Sequence, residues 1–270
     1  MKKVLLLFAM AAFVTTGFAQ KTMVSTNRQL VIYFSETNTT KAVAEELQKQ
    51  LGADIESIEA VKPYSGNFQE TMQRAQRDKE PEIKPLKADL KAYDVIYLGY
   101  PIWGGTYAGP VVTLVKKYDF AGKTIVPFCT FGSGGLESSS ADLVKALPKA
   151  KIKPGYGVRQ ARVKSAAKEL DRFLKENGYK KGSVKPLPEY SAQKAVGDKE
   201  RKIFDDACSN YQFPLGTPET FGMRTTDDSI DYEFKVKSQG FGGGAPSTST
   251  IYVTMGKEEG AKPEFTRVVR

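Results

Sequence analysis

Three short segments carry residue types that could hold a flat, phosphorylated ligand, and each follows an apolar run typical of a strand. The first, residues 35–40, reads S-E-T-N-T-T and stands directly before a helical pattern. Backbone N–H groups at a helix N-terminus favour an anion, and hydroxyl groups add donors without adding charge. This composition suits a phosphate monoester, although an ordinary hydroxyl-rich helix cap would look the same.

The second segment, residues 100–107, reads Y-P-I-W-G-G-T-Y and contains Trp103, the only tryptophan of the chain. An indole stacks well on a planar heterocycle, and the two glycines after it allow the backbone to approach or turn beside a ring. A tryptophan that covers the edge of the core is the alternative. The third segment, residues 130–135, reads T-F-G-S-G-G and could wrap a ring edge with backbone donors.

The composition excludes several kinds of catalysis. The chain has no histidine, so it holds no Ser-His-Asp triad, no Cys-His pair and no imidazole proton shuttle. Demanding chemistry would therefore need a cofactor, and no catalytic side chain or metal site is predicted. The first segment is neither a Walker A loop nor a G-x-G-x-x-G motif, which argues against a nucleoside triphosphate or NAD at that position.

Around these segments the sequence predicts alternating strands and helices. Five strand-like runs lie within residues 29–35, 53–61, 93–100, 124–130 and 151–158. Helical patterns follow them within residues 41–51, 68–78, 110–117, 138–147 and 164–177. Repeated β-α units predict an α/β fold, with a parallel sheet and helices on both faces. Ligands of such sheets bind beyond the carboxyl ends of the strands, so the three segments are expected to meet at one edge.

The chain after residue 182 has a different pattern. Two prolines mark a linker, residues 198–209 are predicted to be helical, and antiparallel strands are expected from residue 221 onward, separated by a glycine-rich turn at 240–246. We therefore expect a signal peptide over residues 1–19, an α/β domain over 20–182 and a small α+β appendage of unknown role over 183–270.

The first residues predict export. Two lysines precede an apolar stretch that is too short to span a bilayer, and G-F-A ends at Ala19 as a small-x-small cleavage site. The alternative is a buried N-terminal helix. Neither a lipid-anchor cysteine nor a twin-arginine pair is present, so a periplasmic protein without a membrane-spanning segment is expected. The net charge is +9, and the basic side chains are scattered, which argues against nucleic acid as a partner.

Taken in order, the three segments resemble the flavodoxin family, in particular its short-chain flavodoxin-like branch, over roughly residues 28–180. The shared features are a strand that ends Y-F-S, a turn similar to T-G-N-T, a G-Y-P-I-W segment and a P-F-x-T-x-G strand end. The resemblance implies a five-stranded parallel sheet of order 2-1-3-4-5 and non-covalent binding of FMN. The implied FMN-binding residues are Ser35, Thr37, Asn38, Thr39 and Thr40 at the phosphate, Pro101, Ile102, Trp103 and Gly104 beside the isoalloxazine, and Thr130, Gly132, Ser133 and Gly135 at its other edge.

The turn reads T-N-T-T where the family usually has T-G-N-T, and the chain is basic where typical flavodoxins are acidic. The resemblance implies electron transfer with a redox protein or a small-molecule acceptor. Two alternatives stay open. One is an FMN-dependent NAD(P)H-quinone or nitro-compound reductase, and the other is a scaffold without flavin that binds a partner.

Overall fold

A computed structural model describes residues 28–238 and 246–270. The expected signal peptide and most of the glycine-rich turn lie outside these described residues. Within them the chain forms two sheets, one mainly parallel and one antiparallel.

The first sheet contains the predicted parallel strands. Its strands are β1 (Gln29–Tyr33), β2 (Asp54–Ser57), β3 (Val95–Trp103), β4 (Thr106–Tyr107), β5 (Thr124–Phe131), β6 (Lys151–Ile152) and β7 (Tyr156–Arg159). The order is β2-β1-β3-β5-β6; β7 also pairs with β5, and β4 pairs with β3. Because β6 and β7 are two pieces of the fifth long strand, this order confirms the predicted 2-1-3-4-5 arrangement.

Helices cover both faces of this sheet, as predicted. They are α1 (Thr39–Leu51), α2 (Phe68–Arg77), α3 (Gly109–Lys117), α4 (Leu136–Ala146) and α5 (Ala166–Glu176). Short 3-10 helices span Leu90–Ala92 and Gln160–Ser165. Helices α1 and α5 share one apolar core with Val31 and Tyr97, whereas α3 and α4 share the other with Ile32 and Leu98. Alternate residues of each strand face opposite cores, which explains the continuous apolar runs of the sequence.

Several strand boundaries differ from the prediction. The first strand ends at Tyr33, and the second is shorter than predicted and ends at Ser57. The third strand continues to Trp103, so Pro101, Ile102 and Trp103 belong to a strand and not to a loop. Gly104 and Gly105 have φ values of 60° and 88°, which form a two-residue turn and let β4 pair back onto β3. The fifth strand is interrupted at Pro154 and Gly155, where proline has no N–H group to donate to the neighbouring strand.

The second sheet lies in the C-terminal region. It contains β8 (Lys194–Ala195), β9 (Thr217–Thr225), β10 (Ser229–Ser238), β11 (Ser247–Gly256) and β12 (Glu264–Val269). Each of these strands pairs antiparallel with the next one along the chain. Helix α6 (Asp198–Cys208) buries Ile203 and Phe204 against Phe234 on one face of this sheet. The predicted antiparallel character is therefore correct, and strand pairing begins earlier in the chain than residue 221.

Of the helices described, none combines the length and the apolar character needed to cross a membrane.

Candidate functional site

The three segments identified in the sequence meet at one edge of the parallel sheet. Tyr33 of β1 is in register with Gly99 of β3, and Pro101 of β3 is in register with Thr130 of β5. The N–H of Phe34 also donates a hydrogen bond of 3.0 Å to the carbonyl of Gly99. The carboxyl ends of these adjacent strands therefore place the three segments side by side, as the sequence predicts.

The first segment ends in a helix N-terminus that is suited to an anion. Asn38 precedes α1 with φ 62°, and it is the single non-glycine residue with positive φ among those described. No described side chain caps this helix end by a hydrogen bond, and its first turn contains no acidic residue. The first backbone N–H groups of a helix have no partner within the helix, so they remain available to a ligand.

Ser35 supplies a further donor at the same place. Its Oγ atom is buried, and no described atom forms a hydrogen bond with it. An unpartnered buried hydroxyl costs free energy, and a ligand oxygen would remove that cost. The phosphate of FMN would supply such an oxygen, so these residues fit the phosphate end of the cofactor.

The other hydroxyls of the first segment pair with each other or with the third segment. Thr37 and Thr39 share a hydrogen bond of 3.2 Å between their Oγ1 atoms. Thr40 is fully buried, and its hydroxyl shares a hydrogen bond of 2.8 Å with that of Thr130. Thr40 and Thr130 therefore connect the first segment to β5.

Trp103 lies in an aromatic cluster at the edge of the apolar core. Its ring centroid is 5.5 Å from that of Phe34 and 5.0 Å from that of Tyr64, with interplanar angles of 85° and 71°. Tyr64 and Trp103 thus touch edge to face and are too close for a planar ring to enter between them. The cluster fits a flavin ring at the rim of the first segment, because Phe34 is the residue directly before Ser35.

Tyr64 belongs to a fourth segment, residues 58–66, which sequence reasoning did not include. This segment follows β2, and the N–H of Gly66 donates a hydrogen bond of 2.8 Å to Oε1 of Glu36. A cleft of about 510 Å³ separates it from the first segment, with Ser35, Asn38 and Tyr64 among its lining residues. Burial raises the pKa of the Tyr64 phenol. The rule that ligands bind beyond strand ends applies to β2 as well and could have identified this segment.

The third segment contacts the second through Gly135. Its φ of 123° is accessible mainly to glycine, and a Cβ atom there would lie 2.7 Å from Cγ2 of Ile102. Ser138 of α4 also donates a hydrogen bond of 2.7 Å to the carbonyl of Gly105, next to Gly104 in the turn. Two carbonyls of this segment are engaged elsewhere: those of Gly132 and Ser133 accept hydrogen bonds from Arg159 and Val268.

The sheet order and the uncapped helix end at its rim define a flavodoxin-like α/β protein. The family model described as flavodoxin matches residues 28–174, which is more than half of the chain, and the chain belongs to this family. This membership confirms the resemblance deduced from the three segments, and it supports FMN as the cofactor. The match ends before the C-terminal sheet.

The individual relatives share less than 30% sequence identity with this chain. Flavodoxin 1 of Escherichia coli K12 is 27% identical over 124 residues, which cover 43% of this chain and 55% of that protein. The chain thus spans about half the length of the curated relatives it matches. A flavoprotein of Bacteroides eggerthii is 29% identical, with a TM-score of 0.44 and coverage of 53% of this chain and 98% of that one. A flavoprotein of Lactobacillus acidophilus in complex with FMN is 21% identical, with a TM-score of 0.43 and coverage of 52% and 97%.

Proposed function

We propose that this protein binds FMN non-covalently and carries electrons between a redox protein and an acceptor, which is either a second protein or a small molecule. The observation that carries this proposal is the buried hydroxyl of Ser35, which has no hydrogen-bond partner among the described residues and lies beside the N-terminus of α1. A bound phosphate would satisfy both features at once.

The residues at the sheet edge would divide the binding between them. The hydroxyl of Ser35 and the first N–H groups of α1 would donate hydrogen bonds to the phosphate. Trp103 and Tyr64 would cover the ring and exclude water from one side. FMN, when bound, supplies one- and two-electron redox chemistry that the side chains of this chain do not provide.

Titration of the purified protein with FMN and with riboflavin tests this proposal. Riboflavin has the same ring but no phosphate, so FMN is expected to bind at least about tenfold more tightly, which corresponds to ~1.4 kcal/mol. Equal affinity for the two flavins would contradict a phosphate site at residues 35–40. Failure to bind either flavin would contradict the whole proposal and favour the flavin-free scaffold.

A second measurement separates electron carriage from substrate turnover. The FMN-loaded protein is reduced chemically without oxygen and mixed with an oxidised redox protein, and the visible absorbance of the flavin is followed. Electron carriage predicts rapid reoxidation, together with negligible consumption of NADPH or NADH. Multiple turnovers of either nicotinamide in the presence of a quinone would instead favour the reductase.

We also propose that the protein is exported and that cleavage occurs after Ala19. The support is the sequence pattern of residues 1–19, with its lysines, apolar stretch and small residues at the cleavage site. N-terminal sequencing of protein recovered from the periplasmic fraction is expected to begin at Gln20. Recovery from the cytoplasm with Met1 retained would contradict export.

A further inference from the structure

The C-terminal sheet contacts the third segment, residues 130–135, through strand β12. The N–H of Val268 in β12 donates a hydrogen bond of 2.7 Å to the carbonyl of Ser133. A Cβ atom on Gly134 would lie 2.4 Å from the carbonyl oxygen of Val268, which is closer than real Cβ contacts come. The backbones of β12 and of residues 133–134 are therefore packed directly against each other.

Arg159 of β7 also connects the third segment to β12. It is 9% exposed, its Nε donates a hydrogen bond of 2.7 Å to the carbonyl of Gly132, and its Nη1 donates one of 3.0 Å to the carbonyl of Phe265. The guanidinium also lies 4.1 Å above the ring of Phe265. A planar fork with several donors can bridge two carbonyls in this way, whereas an ammonium group cannot reproduce the geometry.

These contacts orient the backbone of the third segment. The carbonyls of Gly132 and Ser133 point toward Arg159 and β12. In a trans peptide the following N–H points in the opposite direction, so the N–H of Ser133 is directed away from Arg159 and the N–H of Gly134 is directed away from β12. The contacts with Arg159 and β12 therefore engage the carbonyls of the third segment and not the N–H groups of Ser133 and Gly134.

We propose that the C-terminal sheet acts as a clamp that fixes residues 132–134 in the conformation that binds FMN, with Arg159 as the positioning residue. This inference rests on the proposed function. It makes FMN affinity depend on β12, which lies outside the part of the chain that matches the family. Coupling of this kind is reciprocal, so bound FMN would in turn strengthen the attachment of β12.

The test compares two variants that disturb the clamp with one that does not. Arg159→Met removes both hydrogen bonds, and Gly134→Ala introduces a methyl group against Val268. The control is Arg162→Met, because Arg162 contacts Glu169 at 2.5 Å and Glu264 of β12 at 2.9 Å. It therefore joins α5 to β12 through charge pairs that do not include residues 132–135.

Two quantities are measured for each full-length variant: the FMN dissociation constant, and hydrogen exchange at the Val268 amide without FMN. The Arg159→Met and Gly134→Ala variants are expected to weaken FMN binding by about tenfold, or ~1.4 kcal/mol. Faster exchange at Val268 should accompany this loss. Arg162→Met should leave FMN affinity within about twofold of wild type, and Arg159→Lys should recover only part of the affinity because one ammonium group cannot bridge both carbonyls.

Wild-type FMN affinity in both clamp variants, together with faster exchange at Val268, would overturn the proposal. An equal loss in Arg162→Met would overturn the assignment of Arg159 as the positioning residue, because loosening β12 without disturbing the contacts of residues 132–134 would then be sufficient. If Arg159→Met does not fold, Gly134→Ala alone decides between these outcomes. If the wild type binds no FMN, the proposed function fails, and exchange at Val268 in the unloaded variants still shows whether Arg159 holds β12 on the third segment.

Discussion

Thr40 and Thr130 share a buried hydrogen bond of 2.8 Å between their hydroxyl groups although they are 90 positions apart. Thr40 lies in the first turn of α1, and Thr130 lies near the end of β5. The bond therefore fixes the helix N-terminus, where we place the phosphate, relative to the segment that we place at the ring. Each hydroxyl has the other as its buried partner, so the loss of one leaves the other unsatisfied.

The first prediction concerns this pair. Thr40→Val and Thr130→Val are each expected to lower the free energy of unfolding by about 1–3 kcal/mol, because each leaves one buried hydroxyl without its partner. The double variant should lose less than the sum of the single variants. Urea titration of the four proteins measures this coupling, and strict additivity would show that the two hydroxyls do not interact.

The second prediction concerns Ser35. Ser35→Ala removes a buried hydroxyl that has no described partner, so the unloaded protein should keep its stability or gain up to about 1 kcal/mol. The same variant should bind FMN about tenfold more weakly and bind riboflavin as the wild type does, since only FMN carries the phosphate. Unfolding of the unloaded protein and titration with both flavins measure these effects.

Thr40→Val is the contrast for Ser35→Ala, because its hydroxyl is paired and its removal should destabilise the unloaded protein. A clear loss of stability in Ser35→Ala would mean that the Ser35 hydroxyl already has a hydrogen-bond partner in the unloaded protein and is not available to a ligand.

The third prediction concerns the turn before α1. Asn38 has a φ of 62°, a conformation that costs most L-residues about 1–2 kcal/mol and that asparagine and glycine tolerate best. Asn38→Ala is therefore expected to destabilise the fold by about 1 kcal/mol, whereas Asn38→Gly should be close to neutral. Denaturant titration measures both, with Lys49→Ala on the exposed side of α1 as the control expected to change stability by less than ~0.5 kcal/mol.

If Asn38→Ala and Asn38→Gly had equal stability, the left-handed conformation at residue 38 would not be present in solution. The Asn38→Gly result also addresses the departure from the usual T-G-N-T turn, because it places a glycine at one of the two positions that differ.

The fourth prediction uses the single tryptophan as a probe of the ring site. Trp103 lies against Tyr64 and Phe34, so binding of a flavin ring at this cluster should quench its fluorescence. Trp103→Leu is expected to weaken FMN and riboflavin by the same factor, about tenfold, because the ring is common to both. Absorbance titration measures this, and it contrasts with Ser35→Ala, which should affect FMN alone. Unchanged Trp103 fluorescence at saturating FMN would place the ring elsewhere.

The fifth prediction concerns alkaline pH. Burial raises the pKa of Tyr100 and of Tyr156 far above the ordinary value for a phenol. The unfolded chain ionises its tyrosines near pH ~10, whereas these two stay protonated in the folded protein, so stability should fall as the pH rises above about 10. Denaturant titration at a series of alkaline pH values measures the slope.

Tyr100→Phe should make this slope shallower, because it removes one of the phenols whose pKa is raised by burial. It also removes a hydrogen bond to Ser139, so the comparison concerns the slope and not the absolute stability. An unchanged slope would mean that Tyr100 ionises in the folded protein at its ordinary pKa.

Much of the α/β region could be predicted because its signals are local. The run from residue 30 to residue 34 is apolar at every position, which indicates a strand covered on both sides, and Gly52 ends the following helix with a φ of 65°. The three segments were found for the same reason, since each begins at or close to the end of an apolar run. The second sheet was predicted from alternation alone, and no sequence pattern indicated its contact with the third segment.

The sequence by itself determined the order of the elements, the family and three of the four segments gathered at the sheet edge, because apolar periodicity and turn residues act over a few positions. Only the tertiary structure decided which of these residues touch: Tyr64 with Trp103, Thr40 with Thr130, and Arg159 with both Gly132 and Phe265. Such contacts join groups that are tens of residues apart along the chain. Their geometry depends on how the elements pack, which spacing along the chain does not specify.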